Sequence, residues 1–220
     1  MERMGFRFSC ERGWTRQAWG RFATLTVHCQ RSFMSATSFL RQALRNPRAI
    51  ASIAPSGPSL GRAMVAALPS KFSSVVELGP GTGPVTQALI DAGVPPTHIM
   101  AIEHNRSLGL ALRRKFPQLP VSITDARHLP QVLRDCQWPE HVDVIVSSLP
   151  LRALNAQTVE QIITNANACL KIGGSFIQYS YRAGSPVPES LCRRLGWKTE
   201  ALDKVWKNLP PARVYRYTKL

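Results

Sequence analysis

The chain has 220 residues, enough for one α/β domain with a full core plus an N-terminal appendage. Its hydrophobic content of 44% is typical of globular proteins and argues against general disorder. The five cysteines are odd in number and lack metal-like spacing, so we expect reduced thiols and no metal site. The sequence contains no run of about eighteen apolar residues, the length that a membrane-spanning helix needs, so we expect no such helix.

Positive charge is concentrated in the N-terminal third of the chain. The formal net charge is +15, and residues 1–73 carry eleven Lys/Arg against two Glu. A basic segment of this kind favours an anionic partner, either a nucleic acid or the surface of an anionic membrane. Solubility or a targeting leader is the alternative interpretation.

Residues 1–37 form a basic extension that mixes arginine with aromatic side chains. This composition is typical of an interfacial amphipathic helix, and it also suits an organellar transit peptide or a disordered leader. A secretory signal peptide is not expected, because no adequate apolar run follows the first basic residues.

Residues 38–70 predict amphipathic helices that either cap the domain or dock on a membrane. Asn46-Pro47 ends or kinks a first helix, and Pro58 begins another helix with Leu60 and Met64 towards the core. Apolar residues and arginines at helical spacing are equally typical of a helix that packs on the domain and of a helix that lies at a lipid interface.

Residues 71–220 alternate between strand and helix patterns. The pattern predicts an α/β fold, a doubly wound and mostly parallel seven-stranded sheet with an N-terminal helical extension and an antiparallel pair at one edge. Ligands of such sheets bind at the carboxyl ends of the strands. The predicted strands are 74–78, 98–102, 120–124, 142–147, 175–180, 198–206 and 212–218, and the predicted helices are 84–92, 105–115, 130–135, 155–170 and 187–195.

A glycine loop follows the first strand. Gly79, Gly81 and Gly83 occupy every second position, and Pro84 then begins a helix at the position where a missing N–H costs nothing. Glycines allow a sharp turn and the close approach of a ligand, and the helix N-terminus suits a polar or anionic group. Glu77, just before the loop, is expected to bind loop amides or the cofactor, or simply to brace the loop.

Acidic residues follow the next two strands. Glu103 lies twenty residues beyond Gly83, where doubly wound folds place a carboxylate on the ribose of a nucleoside cofactor. Asp125 and Ala126 follow the third strand, where an adenine amino group would lie, although Asp125 also suits a helix cap. His104 either flanks the adenine or is a half-exposed loop residue.

The spacing of these groups resembles that of class I S-adenosylmethionine (AdoMet)-dependent methyltransferases, which implies AdoMet as the cofactor. The matching pattern is Glu-x-Gly-x-Gly-x-Gly from Glu77, then Glu103, then Asp125-Ala126. A dinucleotide-binding dehydrogenase is the alternative, but its Gly-x-Gly-x-x-Gly pattern is not met because position 84 is Pro.

The segment after the fourth strand bears on the substrate. Enzymes that methylate base amines carry an Asn or Asp here and an aromatic ring that stacks on the base. This chain has Ser147 and Leu151 at those places. A flipped base would lose both contacts, and stacking alone is worth about 1–3 kcal/mol. We therefore expect no nucleic-acid partner despite the charge.

A closer resemblance, over about residues 38–218, is to bacterial phospholipid N-methyltransferases. It rests on Ala54-Pro55-Ser56, the glycine loop, Ser148-Leu149-Pro150-Leu151 and Asn208-Leu209-Pro210-Pro211-Ala212. These enzymes methylate phosphatidylethanolamine towards phosphatidylcholine, and a related branch methylates ornithine lipids. The resemblance implies a cytoplasmic protein, peripheral at the inner membrane, in which the segment around Ser56 closes over the cofactor.

The predicted catalytic residues are Tyr179 and Ser147. Tyr179 and Tyr181 end the fifth strand, where they would hold a methylated ammonium by cation–π contact or simply pack in the core. Either Tyr179 or Ser147 would assist loss of the amine proton. An RNA adenine or small-molecule methyltransferase and an AdoMet-binding adaptor without turnover remain alternatives. The sequence gives no prediction of the oligomeric state.

Overall fold

The computed structural model describes residues 57–206, 208 and 210–220. The predictions for the extension 1–37, for the helices before residue 57 and for Ser56 lie outside these residues. The described chain contains the helix that begins at Pro58, the whole α/β alternation and most of the predicted site residues.

Strands and helices alternate as the sequence predicts. Three short 3-10 turns, Pro96–His98, Ala126–His128 and Leu151–Ala153, complete the connections. The strands are β1 Val75–Leu78, β2 Ile99–Ile102, β3 Val121–Ser122, β4 Val142–Ser147, β5 Leu170–Ser180, β6 Trp197–Val205 and β7 Ala212–Lys219. The helices are α1 Pro58–Ala66, α2 Pro84–Asp91, α3 Arg106–Lys115, α4 Leu129–Asp135, α5 Ala156–Cys169 and α6 Glu189–Arg194.

The strands form a seven-stranded sheet in the order β3-β2-β1-β4-β5-β7-β6. Strands β1 to β5 are parallel, while β7 lies antiparallel between β5 and β6. The predicted doubly wound sheet with its antiparallel edge is therefore confirmed. The strand order reverses between β1 and β4, which is the point where such sheets bind ligands.

Each face of the sheet is covered by its own hydrophobic cluster. Because side chains alternate along a strand, Val76 and Leu78 of β1 face one cluster, whereas Val75 faces the other. Helices α4, α5 and α6 cover the first face, and α1, α2 and α3 cover the second. Apolar burial on both faces fixes the register, since a one-residue slip would exchange the two faces.

Helix α1 is packed on the domain. Leu60 and Met64 are fully buried, as predicted. The helix crosses α2 closely at Gly61, where an added Cβ would lie 3.0 Å from the Ala88 Cβ and 3.1 Å from the Pro84 carbonyl oxygen. Packing on the core is thus observed for this helix, and the membrane-docking interpretation of residues 38–70 stays a prediction.

Two strands, β3 and β5, differ from the sequence prediction by more than one residue at a boundary. Strand β3 is limited to Val121–Ser122, and β5 begins at Leu170 instead of residue 175. The early start of β5 includes an irregularity, because Val142 pairs with Leu170 while Val144 pairs with Ser175. Gly173 lies among the extra residues of β5 and has φ +77°, a conformation that glycine adopts easily.

Within the described residues, no helix is both long enough and apolar enough to span a bilayer.

Candidate active site

Two loops meet where the strand order reverses. The backbone N–H of Gly79, after β1, donates to the Ile102 carbonyl at 2.9 Å, and that of Ser148, after β4, donates to the Leu78 carbonyl at 2.8 Å. Both loops thus continue from the sheet by main-chain hydrogen bonds. They place the glycine loop and the Ser-Leu-Pro-Leu segment side by side at the carboxyl edge.

The three loop glycines have different surroundings. Gly79, Gly81 and Gly83 have φ values of +68°, +61° and +82°, which L side chains rarely adopt. A Cβ on Gly79 would lie 2.7 Å from a Leu149 methyl carbon, and one on Gly83 would lie 2.8 Å from the Phe116 ring. A Cβ on Gly81 would meet nothing within 4 Å. Open space for a ligand therefore lies beside Gly81, while the other two sites accommodate protein side chains.

Glu103 joins the glycine loop to the end of β2. Its Oε2 accepts the Gly81 N–H at 2.9 Å and its Oε1 accepts the Asn105 N–H at 2.8 Å, and the side chain is nearly buried. Each carboxylate oxygen keeps a second acceptor site. The carboxylate is thus held in place by two amides and still has the capacity to bind the two hydroxyls of a ribose.

Glu77 is fully buried beneath the same loop. Its Oε2 accepts the Thr86 hydroxyl at 2.6 Å, whereas its Oε1 has no hydrogen-bond partner among the described residues. Burial raises the pKa of this carboxyl from 4.5 to about 7, the Thr86 hydrogen bonds oppose the rise, and the Glu103 charge adds to it. A buried carboxylate oxygen without a partner is costly, so it marks a place where a cationic group would be stabilised.

Asp125 and His104 lie at the adenine end of the predicted site. The Asp125 carboxylate accepts the Arg127 N–H at 2.8 Å and pairs with the Arg127 guanidinium at 2.9 Å. These hydrogen bonds lower the pKa of Asp125, partial burial opposes them, and exposed His104 contributes by its charge. Asp125 is therefore a turn cap, as the alternative interpretation predicts, and its place beside His104 leaves the adenine role open. Ala126 is buried directly behind it.

The two predicted catalytic residues lie on opposite faces of the sheet. Ser147 pairs with Gln178, so the next residue, Tyr179, projects from the other side. Ser147 is completely buried, and its Oγ accepts the Leu149 N–H at 3.4 Å. Tyr179 is half-buried, and its ring contacts that of Tyr181 edge-on, with centroids 5.3 Å apart. Their catalytic roles stay predictions.

Gln178 is a site residue that sequence reasoning missed. Its side chain is buried at the end of β5, and its Nε2 donates to the Leu149 carbonyl at 3.1 Å. Its Oε1 has no hydrogen-bond partner among the described residues. Gln178 therefore fixes the Ser-Leu-Pro-Leu segment by a hydrogen bond. One glutamine in an apolar strand does not indicate such a long-range contact in the sequence.

Arg152 connects the same segment to the loop that follows β5. Its guanidinium donates to the Ser180 hydroxyl at 3.2 Å and to the carbonyls of Ala183, Gly184 and Ser185 at 2.8–3.0 Å. An arginine fork that satisfies several carbonyls holds a loop in one conformation. The segment after β4 and the loop after β5 are thus held together by hydrogen bonds.

The beginning of the described chain contacts the segment between β6 and β7. The Gly57 N–H donates to the Asn208 Oδ1 at 3.1 Å, and the Asn208 Nδ2 donates to the Pro210 carbonyl at 2.8 Å. Asn208 is 4% exposed, and both hydrogen bonds are partly buried. This contact joins the residue before α1 to the segment between β6 and β7.

Solved structures with the same fold are AdoMet-dependent methyltransferases. A TehB-like methyltransferase from Corynebacterium glutamicum has a TM-score of 0.58 and 16% identity, over 84% of this chain and 100% of its own. The magnesium protoporphyrin IX methyltransferase of Synechocystis PCC 6803, with bound AdoMet, has a TM-score of 0.57 and 12% identity, over 86% and 95%. This chain therefore has the class I AdoMet-dependent methyltransferase fold.

A curated relative shows the family. The chain is 30% identical over 181 residues to an ornithine lipid N-methyltransferase of Singulisphaera acidiphila, covering 80% of this chain and 92% of the relative. No protein-family model matches the chain. The chain belongs to the same family of AdoMet-dependent methyltransferases as that enzyme, and AdoMet is its cofactor.

The residues of the described site fit this cofactor. The spare acceptor sites of Glu103 suit its ribose hydroxyls, and the open side of Gly81 admits a ligand against the loop backbone. The unpartnered Oε1 of buried Glu77 suits its positively charged amino-acid end. His104 and Asp125 lie where the adenine is expected.

Proposed function

We propose that this protein transfers methyl groups from AdoMet to the amine of a membrane aminolipid. The observation that carries the proposal is the 30% identity to an ornithine lipid N-methyltransferase over 92% of that enzyme. Ornithine lipid is therefore a better-supported substrate than phosphatidylethanolamine, which the sequence motifs alone favour. A base amine is disfavoured because Ser147 and Leu151 stand where an amide and an aromatic ring would be needed, and both are buried.

The protein's own residues would bind and orient the reactants. When bound, AdoMet supplies a methyl group activated by a positive sulfur, so the enzyme's main tasks are alignment and exclusion of water. Glu103 and the loop amides would hold the cofactor, and the Leu149 segment, fixed by Gln178, would form the wall beside it.

The amine must reach the site without its proton, and Tyr179 is the more accessible of the two predicted helpers. Ser147 is fully buried beneath Leu149, whereas Tyr179 is half-buried at the rim. The Tyr179 and Tyr181 rings also provide aromatic faces for a cationic methylated amine. The protein would act as a peripheral protein at an anionic membrane surface.

The test is transfer of labelled methyl from AdoMet to lipid vesicles. Parallel samples contain ornithine lipid, phosphatidylethanolamine or neither, and one further sample contains total RNA. Label in an extracted aminolipid that disappears with Glu103→Ala supports the proposal, and the labelled band identifies the lipid. Label on RNA, with a steep decrease at higher salt, would favour the RNA methyltransferase instead. AdoMet binding without transfer to any acceptor would favour the adaptor.

A further inference from the structure

The turn between β6 and β7 lies at the same edge of the sheet as the candidate site. Strand β7 is antiparallel to β5, and its beginning pairs with the end of β5, Arg213 opposite Ser180. Val205, at the end of β6, pairs in turn with Ala212. The described residues between these strands, Trp206, Asn208, Pro210 and Pro211, here called the β6–β7 tip, therefore lie at the carboxyl edge, where β5 ends.

This tip presents an exposed aromatic ring flanked by cations. Trp206 is 72% exposed, and the Lys204 Nζ lies 4.0 Å from the centre of its ring. Lys204 pairs across the hairpin with Arg213, and both side chains are exposed. In the sequence 201–213, Asp203 is the single acidic residue, against Lys204, Lys207 and Arg213.

The tip is fixed on the core despite its exposure. Asn208 is buried within it and is hydrogen-bonded to Gly57 and to Pro210. Because the tip is already ordered, insertion of the exposed Trp206 side chain into a bilayer would cost little further conformational entropy. A tryptophan with adjacent Lys and Arg is the combination that favours the headgroup layer of an anionic bilayer, where the ring is half-dehydrated and the cations meet phosphates.

We infer that the β6–β7 tip is a membrane anchor that inserts Trp206 among anionic lipid headgroups and holds the site's rim against the bilayer. The inference rests on the proposed function, since it explains how a lipid amine would reach the site. Insertion at Trp206 would bring Tyr179 to the bilayer surface, because one strand pair, β5 with β7, connects them. A lipid amine would then enter the site without leaving its membrane.

The chain offers a matched control for this surface. Ile172 is an equally exposed apolar side chain, 82% exposed, but it lies near the beginning of β5, at the opposite edge of the sheet. The full-length variants Trp206→Ser and Ile172→Ser are compared for binding to vesicles of phosphatidylglycerol and phosphatidylcholine. We expect Trp206→Ser to weaken partitioning about tenfold and Ile172→Ser to leave it unchanged. Lys204→Gln should weaken it about fivefold on these vesicles and not on pure phosphatidylcholine.

A second readout separates the tip from the basic N-terminal segment, which would bind vesicles by itself. The chain has five tryptophans, so the emission of Trp206 is obtained as the difference between wild type and Trp206→Phe. We expect this difference spectrum to shift to shorter wavelength on vesicles and to be quenched by brominated lipid. An unshifted, unquenched Trp206 signal in the vesicle-bound protein would overturn the inference, as would equal partitioning of the two serine variants.

Activity measurements keep this inference distinct from the proposed function. Trp206→Ser should lose methyl transfer to aminolipid in vesicles but retain it on aminolipid dispersed in detergent. If no aminolipid is methylated by the wild type in either form, the proposed function fails, while the partitioning and emission results still decide whether the tip inserts.

Discussion

The Gly81 amide donates a hydrogen bond to the Glu103 carboxylate at 2.9 Å, and this bond unites the glycine loop after β1 with the acidic residue after β2. Glu103 fixes the loop beside the open space at Gly81. We predict that its spare acceptor sites also bind the ribose of AdoMet.

Replacing Glu103 by Ala should lower the affinity for AdoMet by about 100-fold. Hydrogen bonds to a charged group contribute roughly 1.5–3 kcal/mol each, and the variant loses those to the ribose as well as the one that holds Gly81. Isothermal titration calorimetry gives the dissociation constant directly. Glu140→Ala is the control, because Glu140 is an exposed acidic residue just before β4, at the opposite edge of the sheet. Equal affinities for the two variants would contradict the assignment.

Gly79 and Gly81 form a matched pair of alanine variants. Each has φ near +60° to +70°, so either substitution introduces backbone strain of about 1–2 kcal/mol. Gly79→Ala also forces the Leu149 side chain away, and we expect it to reduce the free energy of unfolding by a further 1–3 kcal/mol, by roughly the cost of overpacking. Gly81→Ala should instead lower AdoMet affinity more than stability, because its Cβ enters the open space.

Denaturant unfolding and AdoMet titration of both variants separate these effects. Gly79→Ala should have the lower unfolding midpoint, and Gly81→Ala the larger loss of affinity relative to its loss of stability. If Gly79→Ala were as stable as Gly81→Ala, the contact between Leu149 and the glycine loop would carry no energetic weight.

The sequence predicts the sheet and the acidic residues at its edge because both depend on local pattern. Apolar runs of four to six residues, each followed by a helix signal, indicate parallel strands, and the residues after them then share one edge. For this reason Glu103 and Asp125 are found at the expected edge from spacing alone.

Contacts between distant segments do not follow from such local patterns. Leu149 fills the space beside Gly79, and Asn208 binds Gly57 from 151 positions away in the sequence. Ser147 and Tyr179 were proposed for the same role, yet they face opposite sides of the sheet, because this depends on the register of β4 against β5. Single-sequence patterns carry no information on such register.

Glu77 should make stability and cofactor binding depend on pH around neutrality. Its folded-state pKa of about 7 exceeds its usual 4.5, so the folded state binds the extra proton between these values. The free energy of unfolding should therefore fall as pH rises from about 4.5 to about 7, by roughly 3 kcal/mol in total, and this decline should be absent in Glu77→Gln. Denaturant unfolding across this pH range measures both curves.

The affinity for AdoMet should depend on the ionisation of Glu77 with the opposite sign to stability. A cationic amino-acid end near the unpartnered Oε1 would favour the ionised carboxylate, so AdoMet should bind more tightly as pH rises through about 7 and release a proton on binding. Calorimetry at pH 7 in two buffers with different ionisation enthalpies measures the released proton. Glu77→Gln should show none, and Glu140→Gln should behave as wild type. Proton uptake by the wild type would contradict the assignment.

Asn208→Ala should destabilise the domain by about 1–3 kcal/mol, because it removes a buried side chain and leaves the partly buried Gly57 amide without its acceptor. Asn165→Ala is the control. The Asn165 side chain also donates to a backbone carbonyl, that of Arg127, but at the surface and within α5, where alanine is favoured, so we expect a change of at most about 0.5 kcal/mol. Thermal unfolding compares the two variants.

Because Asn208 lies in the β6–β7 tip, its loss should also weaken vesicle partitioning at temperatures where the domain is folded. Equal stability of the two variants would mean that the hydrogen bond between Gly57 and Asn208 does not secure the tip to the core.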